Sequence, residues 1–109
     1  MEDVEKIAFS LIADAGDAQE LMKQALEWAK MGKYEQADKL LARAEEKLLR
    51  AHRLQTGLLR KEAEGEEIHF TILMMHAMDY LMNAMLTKTL IQEIIYLHSS
   101  LSLRTGKIL

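Results

Sequence analysis

The 109-residue sequence contains no cysteine. That excludes disulfides, thiolate metal sites and cysteine nucleophiles, and it suits a reducing compartment; the cytoplasm is the expected location. Proline is also missing and there are only five glycines, so little interrupts helix, and the abundant Ala, Leu, Met, Glu, Lys and Gln promote it. No cationic excess exists: 14 Lys and Arg stand against 17 Asp and Glu, for a net charge of −3. A chain so charged has no surplus with which to displace counterions from a nucleic-acid backbone, and nucleic acid is not expected as a partner. A bilayer span needs about 20 uninterrupted apolar residues, and the longest candidate, Ile68 to Met85, is broken by His69, His76, Asp79 and Asn83. The opening Met1-Glu2-Asp3 lacks the basic start and apolar core of a signal peptide. Direct membrane insertion is therefore not expected.

What is present reads as one all-α domain spanning 1–109, a size that buries enough surface to fold without staples. Val4, Ala8, Leu11, Ala15, Ala18, Met22, Ala25 and Ala29 alternate spacings of four and three, the seam of an amphipathic helix that packs on other helices. Asp3 is placed to cap its start. Gly32 suits the left-handed conformation that ends a helix. A second seam follows through Ala37, Leu41, Ala44, Leu48, Ala51, Gln55 and Leu58, with Lys, Glu and Arg between its members. Gln55 falls on the packed side, and a buried amide requires partners. Glu64-Gly65-Glu66-Glu67 is the second break, glycine ending one helix and the acidic pair favouring the start of the next. The predicted helices cover about 3–31, 33–64 and 67–103, with Arg104 to Lys107 fraying. Met31-Gly32-Lys33-Tyr34-Glu35-Gln36-Ala37 looks like the turn of a tetratricopeptide repeat, but it occurs once and stacking needs several copies.

The third helix differs from the others. Between Ile72 and Leu86 it is apolar on nearly every face, and five of the eight methionines fall between Met74 and Met85. A helix wet on one side shows a polar stripe, so this one is expected to touch its own bundle on one side and other subunits on the other. After Thr87 the pattern becomes amphipathic through Leu90, Ile94, Leu97 and Leu101. Within the apolar stretch His76, Asp79 and Asn83 stand at i, i+3 and i+7 and share one side. Spacing alone fits a hydrogen-bonded core histidine with Asp79 as its partner better than it fits a functional site. No other constellation is stronger. His52, His69 and His98 lie among charged or helix-end residues without metallohydrolase spacing, and there is no glycine-rich phosphate loop or nucleophile elbow. Glu45-Glu46 and Glu66-Glu67 read as solvated surface.

Three stretches change that balance. They are Ala15-Gly16-Asp17-Ala18 in the first helix, Ala51-His52-Arg53-Leu54-Gln55-Thr56-Gly57 followed by Glu62-Ala63-Glu64-Gly65-Glu66, and His76-Ala77-Met78-Asp79-Tyr80-Leu81-Met82. In that order they resemble the lactose/cellobiose-type enzyme IIA component of the bacterial phosphoenolpyruvate-dependent sugar phosphotransferase system, whose third motif usually reads His-Ala/Gly-Gln-Asp-His-Leu-Met. The resemblance implies an antiparallel three-helix bundle assembling as a nine-helix homotrimer. It implies that His76 is the phosphorylated histidine, with Met78, Tyr80 and Gln55 beside the phosphoryl group. Asp79 would meet its symmetry mates at the trimer axis around a divalent cation, Mg2+ being the expected ion. The implied partners are the phosphocarrier HPr as donor and a cysteine of enzyme IIB as acceptor, in uptake of lactose, cellobiose, chitobiose or a related sugar. Met78 stands where the family usually has glutamine, and Tyr80 where it has a second histidine. The competing expectations are a non-enzymatic helical adaptor whose methionine-rich helix docks a partner, and a diverged family member with altered phosphotransfer.

Overall fold

Two glycines set the bundle's connections. Gly32 adopts φ 79°, a conformation that costs glycine little and other residues much. The turn it forms lets Gly32 N–H donate to Ala29 O at 2.9 Å and Lys33 N–H donate to Trp28 O at 3.0 Å, which satisfies carbonyls left over at the helix end. Gly65, at φ 97°, ends the next helix in the same way. The structure, a computed structural model, describes residues 4–105. They form α1 (Val4–Lys30), α2 (Tyr34–Ala63) and α3 (Ile72–Thr105), with no strand among the described residues. The helical content expected from composition, and the three-helix arrangement implied by the resemblance, are thus what form. The Asp3 cap, Gly106 and Lys107 lie outside the described residues, while Arg104 and Thr105 continue α3.

The third helix begins at Ile72, later than the acidic pair suggested. Residues 66–71 form an irregular connector in which half-buried Ile68 and Phe70 pack on the core. Thr71 then supplies the cap that Glu66 and Glu67 do not. Its Oγ1 accepts from the Met74 N–H at 3.1 Å, meeting the demand of an otherwise unpaired first-turn amide.

Both predicted seams pack as read. From Ala8 to Ala29 every seam residue of α1 is buried, and Val4 packs partly buried at the end; on α2 the buried set is the predicted one, Ala37 through Leu58. Many of these are alanines with no exposed surface, among them Ala15, Ala18 and Ala25 on α1 and Ala37, Ala44 and Ala51 on α2. Small side chains allow close helix approach, while the bulk of the core comes from the fully buried Leu11, Met22, Met74 and Leu81. Burying each such side chain stabilises the fold by roughly 1.5–3 kcal/mol. The result is a rod of 58 × 20 × 20 Å in which α1 packs against both other helices and α2 and α3 touch each other least.

On α3 the structure departs from the expected seam. The face turned to the core is Met74, Ala77, Leu81, Ala84, Ile91, Ile95 and Ser102. Leu90, Ile94, Leu97 and Leu101, read from the sequence as the packing line, are instead half or more exposed. Ile72, Met75, Met82 and Leu86 extend the same outward stripe, with Ile72 81% and Leu86 59% exposed. Met75, Leu86 and Leu97 recur every eleven residues, as do Asp79, Leu90 and Leu101. An eleven-residue recurrence tracks the natural pitch of a straight helix closely, so the stripe runs along the rod with little drift.

Candidate functional site

His76 lies near the start of α3, exposed, on one edge of this outward stripe. One turn later, half-buried Tyr80 sets its ring parallel to the imidazole, with 1° between the planes and 6.3 Å between centroids. Asp79 lies within the stripe, also exposed, and accepts a long hydrogen bond of 3.5 Å from the Asn83 amide. Both polar groups therefore face out of the protomer. Neither is a satisfied core residue, the interpretation that spacing alone favoured.

The remaining predicted positions are distributed around α3 and α2. Met78 packs partly buried against the core, on the flank of the stripe opposite His76 because two residues advance a helix by roughly 200°. Gln55 is buried on α2, and its Oε1 has no hydrogen-bond partner. The contacts Tyr34–His98 and Glu45–Lys88 fix the antiparallel register of α2 and α3. Carried along the helices, that register sets Gln55 level with Ala77 and Met78. No hydrogen bond joins Gln55 to His76; among the described residues the ring contact of the candidate nucleophile is with Tyr80.

As for a cation, no group of three or more His, Cys, Asp or Glu able to hold a metal is present among the described residues. Asp79 is a single carboxylate at its position.

Two polar contacts went unread in the sequence. Asp14 sits in the buried seam of α1, and its carboxylate accepts two hydrogen bonds from Arg50 of α2, one of them at 3.0 Å from Nε. That hydrogen bonding, reinforced by the carboxylate's charge, pushes the Arg50 guanidinium up from its usual value. An aspartate between Leu11 and Ala15 on an apolar seam was the available signal. At the far end of the bundle the Tyr34 hydroxyl lies 2.7 Å from His98 Nδ1 and 3.3 Å from the buried Ser102 Oγ, tying the start of α2 to the end of α3. Beside it is an open hollow of about 330 Å³ lined by residues that include Tyr34, Asp38, Gln92 and Tyr96. Gln92 lies sixteen residues beyond His76, roughly 24 Å along the helix, so this hollow is separate from the histidine.

Comparison with known proteins accounts for the arrangement. Residues 6–99 match the family described as PTS system, Lactose/Cellobiose specific IIA subunit. The lichenan-specific phosphotransferase enzyme IIA component of Bacillus subtilis is 41% identical over 105 residues, covering 96% of each chain. The crystal structure of the cellobiose-specific enzyme IIA from Bacillus anthracis superposes with a TM-score of 0.87 at 40% identity, over 94% of both chains. The IIA(Chitobiose) of Escherichia coli, solved in complex with HPr, gives a TM-score of 0.81 at 34% identity, over 94% of this chain and 99% of that one. The family's fold is the one built here by two alanine-rich seams and a two-faced third helix. This chain therefore belongs to the lactose/cellobiose-specific IIA family of the sugar phosphotransferase system, a family of phosphotransferase components.

Proposed function

We propose that this protein is a cytoplasmic phosphoryl carrier, accepting the group from HPr on His76 and passing it to a cysteine of the IIB component during uptake of lactose, cellobiose, chitobiose or a related sugar. The observation that carries this reading is the exposure of His76 at the edge of a broad apolar stripe. A relay must be reached by two proteins in turn, and its nucleophile must stay out of the sealed core. The relative solved with HPr supports the choice of donor.

The chemistry asks little of the chain beyond placement. Neutral imidazole is nucleophilic near physiological pH. Its unprotonated nitrogen bonds to phosphorus as the bond from phosphorus to HPr breaks, the electron pair leaving with the donor. In the second step the sulfur–phosphorus bond to IIB forms as the His76 nitrogen–phosphorus bond breaks. In-line alignment and electrostatic stabilisation supply most of the acceleration in such transfers. Apolar side chains brought around the ring by assembly would exclude water that otherwise hydrolyses the intermediate.

The stripe itself is proposed to pack on two further copies, giving a homotrimer of nine helices. His76 and Met78 lie on opposite flanks of the stripe, so in a closed ring one copy's His76 edge meets its neighbour's Met78 and Met82 edge. That juxtaposition makes an apolar crevice open to a docking protein. Asp79 of each copy approaches the axis, where clustered carboxylates require a cation, shared protons or raised pKa values. A divalent cation such as Mg2+ bound there by the Asp79 side chains would supply neutralising charge.

Incubation with phosphorylated HPr tests the assignment. The wild-type chain is expected to gain an acid-labile, base-stable phosphate, and His76→Ala to gain none while keeping its helical circular dichroism. Label on the His76→Ala protein would refute it, and an unlabelled wild type would favour a helical adaptor.

A further inference from the structure

Tyr80 does more than neighbour His76. Its ring is parallel to the imidazole at a centroid distance of 6.3 Å, within the range at which aromatic rings stack favourably when offset. The other end of the phenol reaches α1. A Cβ added to Gly16 would lie 3.6 Å from the Tyr80 hydroxyl oxygen, so the tip of the side chain comes close to α1 at a position that carries no side chain. The hydroxyl forms no hydrogen bond with the imidazole. Tyr80 is half-buried and packs against the core, whereas His76 is exposed: the more anchored ring lies alongside the freer one.

We propose that Tyr80 is a positioning residue, its ring braced between α3 and Gly16 so as to hold the His76 imidazole in one orientation for phosphoryl transfer. An exposed histidine on a helix otherwise samples several staggered side-chain rotamers, and few of them aim a ring nitrogen at an incoming phosphorus. An anchored ring alongside it removes part of that freedom before the donor docks. The hydroxyl serves only as the tip that meets α1. This rests on His76 being the acceptor.

The experiment compares Tyr80→Phe and Tyr80→Ala in the full chain, with phosphorylated HPr as donor. The expected result is a kcat within about twofold of wild type for Tyr80→Phe. For Tyr80→Ala a loss approaching about a hundredfold is expected, the scale of a misplaced reacting group, with the KM for HPr unchanged. Should the alanine variant fold poorly by circular dichroism, Tyr80→Leu, which restores bulk without a flat ring, takes its place with the same expected loss. Equal losses for the phenylalanine and truncated variants would make the hydroxyl the working group and overturn the proposal. So would wild-type kcat in all of them, or losses confined to KM. Label on His76→Ala protein is a different failure, since it removes the acceptor assignment itself.

Discussion

α2 and α3 are similar in length and lie side by side, yet they meet water in opposite ways. On α2 one apolar seam is buried, and the positions between its members, such as Lys39, Arg43, Glu46 and Arg53, are exposed and charged. That helix is complete within one protomer. α3 buries an equally apolar face and then exposes a second, running from Ile72 to Leu101. Exposed apolar surface of that extent and continuity marks an interaction site in soluble proteins. The candidate nucleophile and the carboxylate with a proposed axial role both lie on this helix, so the proposed assembly and the proposed chemistry share one surface.

Substitutions at matched positions sharpen this contrast. The largest effect is expected from Leu86→Glu in the outward stripe, which should convert the assembly to helical monomers in size-exclusion chromatography. The same change at Leu54, an exposed leucine of α2, should leave both size and helicity unchanged. Next in magnitude is the inward face: Leu81→Ala, at a fully buried position, is expected to cost about 2–5 kcal/mol in denaturant unfolding of the protomer. Leu86→Ala at the same protein concentration should change protomer stability by less than about 0.5 kcal/mol and register only as weaker association. The smallest effect is expected at Asp79. Replacing converging buried charge by an apolar residue is often neutral or stabilising, so Asp79→Leu should keep or strengthen the assembly in dilution experiments. Dissociation of that variant, with added divalent cation making no difference to wild type, would mean that the carboxylate does not lie at the axis.

How much of this was legible in the sequence follows the same division. Seams on α1 and α2 could be read because each has one apolar face and a charged remainder, so spacing alone identifies the buried side. On α3 spacing does not identify the buried side, for the converse reason. Its two faces are both apolar, and a three-four spacing cannot say whether Leu90 or Ile91 turns inward. The start of α3 was misplaced because acidic residues signal a helix start only through the dipole, whereas the Thr71 hydroxyl makes the bond. Asp14 escaped notice because its partner, Arg50, is on another helix. His76 and Asp79 are singled out by their motif; spacing by itself points to a core pair, and only the fold shows that both face outward.

The central claim, that the outward face of α3 is covered by copies of the same chain, is tested most directly by sedimentation equilibrium of the wild-type protein across a wide concentration range. The expected result is a species of three times the 12.5 kDa chain mass. A protein that remains at 12.5 kDa at every concentration, its leucine and methionine stripe in water, would contradict it.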